Sequence, residues 1–238
     1  MITLRRSAAD EQWCMRLRTA VAADLSGLGL AGLTINVRDD DVRASMMTLT
    51  TLDPPVVAVV SIWTQQYYGR AVAAALRRLS DECDLLAAYL VTESVPLPAP
   101  EVPAGARTPG LANVALLRRP TDLDIATWLA RWHIDHTPVA IETQATFGYT
   151  QNTVVRPLTA DAPVIDAIVE ELFPIEAVSD LLAFFGAVDQ SDLADRMGRM
   201  AASVARFGAD RDIDTVPTSR YVCSAPGLRC TRDTFDLG

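Results

Sequence analysis

Both histidines of the chain, His133 and His136, lie in one short stretch together with two of its four tryptophans, Trp128 and Trp132. Trp128, Trp132 and His136 are spaced four residues apart, and this spacing places three rings along one face of an α-helix. A histidine with an ordinary pKa of about 6.5 exchanges a proton at neutral pH. We therefore predict that His136 is a general base or acid, the alternative being a cap on the carbonyl end of its helix.

The two tryptophans allow two interpretations. Trp128 and Trp132 form an aromatic wall for a planar substrate, or they anchor the core, where aromatic burial contributes most. His133 lies about 60° around the helix from His136, so we place it at a partly exposed position beside the substrate. The two histidines lack an evident third ligand, and we therefore predict no metal site.

A short strand after the helix carries Tyr149, Gln151 and Asn152. The phenol of Tyr149 is suited to hydrogen-bond an enolate or phenolate oxygen, so we assign it to catalysis. Alternation along a strand puts Gln151 on the same face as Tyr149 and turns Asn152 the other way. We assign both to substrate binding, with a structural hydrogen bond as the alternative for each.

Two adjacent glutamates, Glu170 and Glu171, lie within an apolar strand, so one faces the helices and the other faces the opposite side of the sheet. A buried carboxylate is costly unless it is paired. The helix-facing glutamate is a candidate to orient His136, and the sequence leaves open which of the two it is. We assign Glu170 to catalysis and Glu171 to substrate binding; the alternative is a structural ion pair with Arg118 or Arg119.

The elements that position these residues follow a β-α-β-β-α-β order. The apolar spacing predicts strands at 111–117, 148–158, within 162–173 and at 220–224, and helices from about 122 to 136, 175 to 185 and 191 to 207. This is the order of a ferredoxin-like unit, an antiparallel sheet with helices on one face.

The first half of the chain repeats much of this order. We predict helices at 8–25 and 68–80 and strands at 33–38, 56–63 and 85–92. Gly32-Leu-Thr-Ile-Asn36 also echoes Gly148-Tyr-Thr-Gln-Asn152. The predicted fold class is therefore α+β: two ferredoxin-like units in one chain, with their sheets packed face to face as a pseudo-dimeric barrel, because two bare sheet faces in water would be large exposed apolar patches.

The domain boundaries follow from a Pro-rich segment. We predict a degenerate ferredoxin-like unit at 1–95, a linker at 96–110 and a second unit carrying the site at 111–238. A barrel closed within one chain predicts a monomer, or at most a weak homodimer.

Composition excludes several classes of function. All 21 basic residues are arginine, which excludes reactions that need a catalytic lysine. The net charge of −9 disfavours nucleic acid and anionic membranes as partners. The four cysteines, Cys14, Cys83, Cys223 and Cys230, show no CxxC spacing. With no signal peptide and no apolar run of membrane length, we expect a cytoplasmic protein with reduced cysteines.

The second half resembles the EthD-type domain of the dimeric α+β-barrel superfamily. The resemblance covers residues 111 to about 224. It rests on the residues Leu117-Arg118-Arg119, Trp128, Trp132, His136, Tyr149-x-Gln151-Asn152 and Ile168-Val169-Glu170-Glu171-Leu172-Phe173. The family usually has Phe or Tyr where this chain has Trp128, and the first half has no histidine. The resemblance implies one site, in the second half, with the first half as a built-in partner subunit.

The resemblance also implies a class of reaction. The leading hypothesis is a cofactor-independent cyclase, dehydratase or isomerase that acts on an enolisable aromatic or polyketide-like small molecule, with His136 as general base. The alternatives are a cofactor-free monooxygenase of the same fold and a non-catalytic barrel that binds a small molecule or is purely structural. Haem binding is a further possibility that only the histidines favour.

Overall fold

Eight strands, rich in β-branched and other apolar residues, form the framework of the protein. The computed structural model describes residues 1–225. The strands are β1 (Ile2–Arg5), β2 (Gly32–Val37), β3 (Val56–Trp63), β4 (Leu85–Leu97), β5 (Leu111–Leu117), β6 (Gly148–Pro157), β7 (Ala167–Phe173) and β8 (Asp214–Ser224). They close into an antiparallel barrel in the order β1-β3-β2-β8-β5-β7-β6-β4. The predicted α+β barrel is confirmed at this level.

The two halves of the chain contribute matching arcs to the barrel. Within the first four strands the order is β4-β1-β3-β2, and within the last four it is β8-β5-β7-β6. The arcs join where β2 pairs with β8 and where β4 pairs with β6. Closure leaves every strand with two neighbours, which removes the exposed edges of an open sheet.

Strand alternation divides the core into an inner and an outer part. Val114 and Leu116 of β5 point into the barrel, where they pack with Val59, Ile168 and Val216. The intervening residues of β5, among them Ala115 and Leu117, point outward against the helices of the second half. There they pack with Trp128, Trp132, Tyr149 and Phe207. Two further clusters hold the helices of the first half and the end of the second.

The outer helices are α1 (Glu11–Arg16), α2 (Ala22–Ser26), α3 (Arg70–Ser80), α4 (Ile125–Ala130), α5 (Thr137–Thr143), α6 (Leu181–Phe185) and α7 (Gln190–Ala205). A 3-10 turn occupies Ile175–Val178. A π-helical segment links α1 to α2 at Leu17–Val21, and another links α4 to α5 at Arg131–His136.

The helix that carries the histidines continues beyond the predicted end near His136, as far as Thr143. A proline inside a helix usually breaks or kinks it, and Pro138 follows the predicted end closely. Instead Pro138 occupies the first turn of α5, where its missing N–H is tolerated, and the wider π-helical turn lies just before it. The Thr137 hydroxyl donates to the carbonyl oxygen of Trp132 at 3.1 Å, which satisfies a backbone acceptor there.

Three further differences from the sequence predictions concern strands. β1 was not predicted, because four residues carry little pattern and its pairing on both sides with β3 and β4 comes only from closure. β4 runs through Leu97, into the segment predicted as a linker. β8 begins at Asp214, six residues before the predicted start at Arg220. The domain boundaries themselves stay a prediction.

The three cysteines in the described part of the chain, Cys14, Cys83 and Cys223, are free thiols, and Cys230 lies outside the described residues. Within residues 1–225, no helix combines the length and the apolar character needed to cross a bilayer.

Candidate functional site

A cavity of about 170 Å³ lies between the outer face of the second-half strands and the helices that cover them. Its wall is mainly apolar, with contributions from Ala115, Leu117, Val169, Met200, Val204 and Phe207. The polar residues on the wall are Asn113, His136, Gln144, Tyr149, Glu171 and Thr215. The cavity is thus an apolar space with a few converging polar groups, the usual character of a small-molecule site.

The polar groups on the sheet form a row across three strands. Glu171 of β7 pairs directly with Asn113 of β5 on one side and with Tyr149 of β6 on the other. Directly opposed residues have Cβ atoms about 5 Å apart, so the carboxyl of Glu171 is flanked by an amide and a phenol. This row sets polar groups beside the apolar residues Ala115, Leu117 and Val169 of the same sheet face.

Burial tunes the two acidic groups of the row. It raises the pKa of the Glu171 carboxyl to about 7, because the charged form is poorly solvated there. Burial and the neighbouring charge of Glu171 raise the pKa of Tyr149 as well. At neutral pH the phenol therefore stays protonated and able to donate, while Glu171 exists in both protonation states.

His136 reaches the cavity from the helix above the sheet. It is only 7 % exposed. Its Nδ1 lies 2.9 Å from the Ser203 hydroxyl oxygen on α7 and its ring packs 4.8 Å from that of Phe207. Burial lowers the pKa of His136 to about 4. The imidazole is therefore neutral at physiological pH, and it is a weaker base than its ordinary pKa implies.

One tryptophan fits the prediction of an aromatic wall at the site, and the other fits the prediction of a core anchor. Trp132 lines the cavity, and its indole N–H makes no hydrogen bond of good geometry with a described residue. Trp128 is not among the cavity residues: it is fully buried and donates to the carbonyl oxygen of Phe207 at 3.0 Å. The structure therefore places Trp132 at the cavity and makes Trp128 a core anchor.

Two other predicted binding residues lie beside the cavity instead of on its wall. His133 is partly buried, with its ring centre 4.4 Å from that of Trp132. Gln151 shares the face of Tyr149, and its side-chain amide donates to the Thr137 hydroxyl at 2.8 Å. This hydrogen bond joins the helix to the sheet, and it is the structural hydrogen bond that was the alternative to substrate binding for Gln151.

Glu170 does not face His136, contrary to the catalytic role predicted for it from the sequence. Alternation along β7 turns it into the barrel, away from His136. There it pairs with Arg220 at 2.8 Å and accepts a hydrogen bond from Asn36 at 2.6 Å. The expected alternative partners are also wrong, because Arg118 pairs with Asp214 at 2.8 Å and Arg119 binds carbonyl oxygens of its own loop. Glu171 is the helix-facing glutamate.

Asn152 also faces away from His136, as alternation predicted. Its side chain donates to the carbonyl oxygen of Ile168 at 3.2 Å and lines a different cavity. Asn152 therefore does not line the His136 cavity, where it was predicted to bind substrate.

Several cavity residues were missed by the sequence analysis. Asn113 carries a buried side-chain oxygen without a hydrogen-bond partner among the described residues. Its signal was visible: it is the one polar residue in the apolar run Leu111–Leu117. Gln144 lies just past the end of α5 and continues the four-residue spacing of Trp132 and His136, so its signal was visible too. Thr215 of β8 lines the cavity and Ser203 of α7 contacts His136, and no local pattern connects these two residues with His136.

Comparisons with known proteins bear on the fold. No family model and no curated protein matches the chain. A solved structure described as an anthrone oxidase-like protein matches with a TM-score of 0.54 and 8 % identity, covering 95 % of this chain and 93 % of that one. At that identity the likeness supports the barrel fold alone.

Proposed function

We propose that the protein is a cofactor-independent enzyme that moves a proton on an enolisable small molecule bound in the His136 cavity. The observation that carries this proposal is the Asn113–Glu171–Tyr149 row, in which a carboxyl with a pKa near neutrality faces a mainly apolar cavity. A general base is most effective when its pKa lies close to the working pH. Glu171 meets that condition, and His136, with a pKa of about 4, does not.

The proposed reaction begins when the Glu171 carboxylate removes a proton from the carbon next to a carbonyl group. The enolate oxygen accepts a hydrogen bond from the Tyr149 phenol, which stabilises the developing charge. Glu171 then returns its proton to another carbon in an isomerisation, or to a departing hydroxyl in a dehydration. An aldol cyclisation would use the enolate carbon as nucleophile instead.

His136 takes a different part from the one expected from sequence. Since Ser203 lies at its Nδ1 and the ring is neutral, we assign it to positioning the ligand by hydrogen bonding from above the sheet. Trp132 and Phe207 supply flat apolar surface at the same place. At about 30 Å³ for each water, a cavity of about 170 Å³ holds roughly six waters, so the substrate is small, with one or two rings.

A second candidate reaction shares the first step. The matched solved structure is described as anthrone oxidase-like, and this favours a cofactor-free oxygenation. The carbanion would react with O₂ to form a hydroperoxide, which would lose water to leave a carbonyl group. Oxygen consumption separates this reaction from isomerisation or dehydration, and stoichiometric binding without turnover of any kind would indicate a non-catalytic barrel.

The first test measures proton exchange directly. We expect the protein to accelerate hydrogen–deuterium exchange next to the carbonyl of 2-tetralone, an enolisable two-ring ketone, in D₂O followed by NMR. Glu171→Gln should lower that rate by about 10²- to 10⁴-fold, the usual contribution of a general base. The native rate should rise with pH through about 7, the pKa of Glu171.

Glu176→Gln is the matched control, because Glu176 is an exposed glutamate five residues along the same segment. Its exchange rate should equal that of the native protein. If Glu171→Gln retains full exchange, the assignment of the base is wrong. If the native protein neither exchanges nor binds 2-tetralone, the cavity does not serve this class of substrate.

At the level of the fold, we propose that the barrel consists of two ferredoxin-like units, the second of EthD type. The matching strand orders support this proposal, as does the π-helical segment that interrupts the first long helix of each half. The echoed glycines also agree, since Gly32 begins β2 and Gly148 begins β6. Because closure occurs within one chain, we expect a monomer in solution.

A further inference from the structure

A second cavity, of about 460 Å³, is lined mainly by the first half of the chain and shares no lining residue with the His136 cavity. Its walls come from the end of β3, from α3 and from the middle of β4. Its apolar side chains include Ile2, Ile62, Trp63, Val72, Leu76 and Leu90. Its volume falls within the range of about 300–1,000 Å³ that is common for small-molecule sites.

The wall of this second cavity also carries polar groups. Glu93 of β4 and Asn152 of β6 lie opposite each other on paired strands, and Ser61, Thr64 and Gln65 line the wall as well. Glu93 is the only charged side chain among the described residues of the wall. Met1 also lines it, and burial lowers the pKa of its α-amino group to about 6, so that group is largely neutral at pH 7.5.

Burial raises the pKa of Glu93, a hydrogen bond with the Trp63 side chain lowers it, and the charges of Glu170 and Arg220 act in opposite directions. Glu93 forms no ion pair with a described residue, so a ligand ammonium group would supply its first charged partner. Glu170 itself is already paired with Arg220.

We propose that the second cavity binds an amphiphilic amine, with its apolar chain between Trp63, Val72 and Leu76 and its ammonium group at Glu93. Apolar walls favour the chain in proportion to the area buried. The single carboxylate selects the charge of the head group. The site is separate from the proposed catalytic cavity, and its occupancy does not depend on that reaction.

The test compares three ligands of equal chain length by calorimetry at pH 7.5: decylamine, 1-decanol and decanoate. We expect decylamine to bind roughly 1.5- to 5-fold more tightly than decanol, the range for a solvent-accessible ion pair, and decanoate to bind most weakly. Binding of the amine should change the fluorescence of Trp63. In Glu93→Gln the amine and the alcohol should bind equally.

Filling the cavity provides the test of location. Val72→Trp should abolish binding of all three ligands, and Leu76→Trp, at a less buried position, serves the same purpose if the first variant does not fold. Val164→Trp, where the side chain is 76 % exposed, is the matched control and should bind normally.

Unchanged binding in a folded cavity-filling variant would overturn the site. Decanoate binding as tightly as decylamine, or an amine preference that survives Glu93→Gln, would overturn the role of Glu93.

Discussion

At the scale of single residues, one physical cause acts in opposite directions on the two acid–base groups of the cavity. Burial disfavours whichever form is charged, so it raises the pKa of Glu171 to about 7 and lowers that of His136 to about 4. At neutral pH the cavity is therefore lined by a partly ionised carboxyl and a neutral imidazole. Histidine is the residue type that usually titrates near neutrality, but in this cavity the glutamate does so.

The shift at His136 predicts a pH dependence of stability. Its folded pKa lies below its unfolded value of about 6.5, so protonation disfavours the folded state. The contribution is intact above pH 6.5 and is lost as the pH falls toward 4, by on the order of 3 kcal/mol in total. Urea unfolding of the native protein and of His136→Gln should therefore show a stability difference that shifts against the native protein below pH 6.5. A difference that is constant from pH 7.5 to pH 4.5 would contradict the lowered pKa.

At the scale of elements, backbone conformation and close packing fix how β5 meets β7. Gly110, just before β5, has a φ of 100°, and a Cβ there would lie 2.1 Å from the carbonyl oxygen of Phe173. That carbonyl belongs to the last residue of β7, the strand that carries Glu171. The position therefore demands glycine both for its conformation and for its space.

Gly105 offers the matched comparison, because its φ is 78° but a Cβ there would meet nothing within 4 Å. Gly105→Ala should lose about 1–2 kcal/mol of stability from the left-handed conformation alone. Gly110→Ala should lose about 1–3 kcal/mol more, since the clash with backbone adds an overpacking cost. The measurement is urea unfolding of both variants, and equal losses would show that β5 and β7 separate without strain.

At the scale of the whole molecule, charged and polar groups inside the barrel connect its two halves. Glu170 of β7 binds Arg220 of β8, and it also accepts from Asn36 of β2 in the first half. Both charged side chains are largely buried, at 12 % and 15 % exposure. Such a pair adds little net stability by itself, but removing one partner leaves an uncompensated charge.

This arrangement predicts a strongly non-additive pair of substitutions. Glu170→Ala alone should lose about 3–5 kcal/mol of stability, whereas Glu170→Leu combined with Arg220→Met should lose only about 1–3 kcal/mol, the cost of leaving the buried Asn36 amide without its acceptor. Thermal and urea unfolding of the single and double variants measure the difference. Because neither residue faces the His136 cavity, 2-tetralone exchange in the folded double variant should persist. Additive losses would show that the pair is not coupled.

Much of the architecture was readable from local pattern. Val56–Trp63 and Leu111–Leu117 are strands with the predicted limits, because long apolar runs identify buried strands. The four-residue spacing of Trp128, Trp132 and His136 predicted that the three rings share one helix face, and the structure buries all three. The short β1 and the continuation of the helix past Pro138 were not readable, since neighbouring strands and a π-helical turn decide them.

The sequence by itself determined the α+β class and the order of most elements, because periodicity and composition are local properties. It also determined that His136 lies on a helix and Tyr149 on the strand that follows. Only the tertiary structure decided that Glu171, rather than Glu170, faces the cavity, since a strand's absolute orientation depends on its partners on both sides. The structure alone also placed Asn113 beside Glu171 and Ser203 at His136. Burial, which sets the pKa values of the site, is a property of the whole fold and is not carried by any residue in isolation.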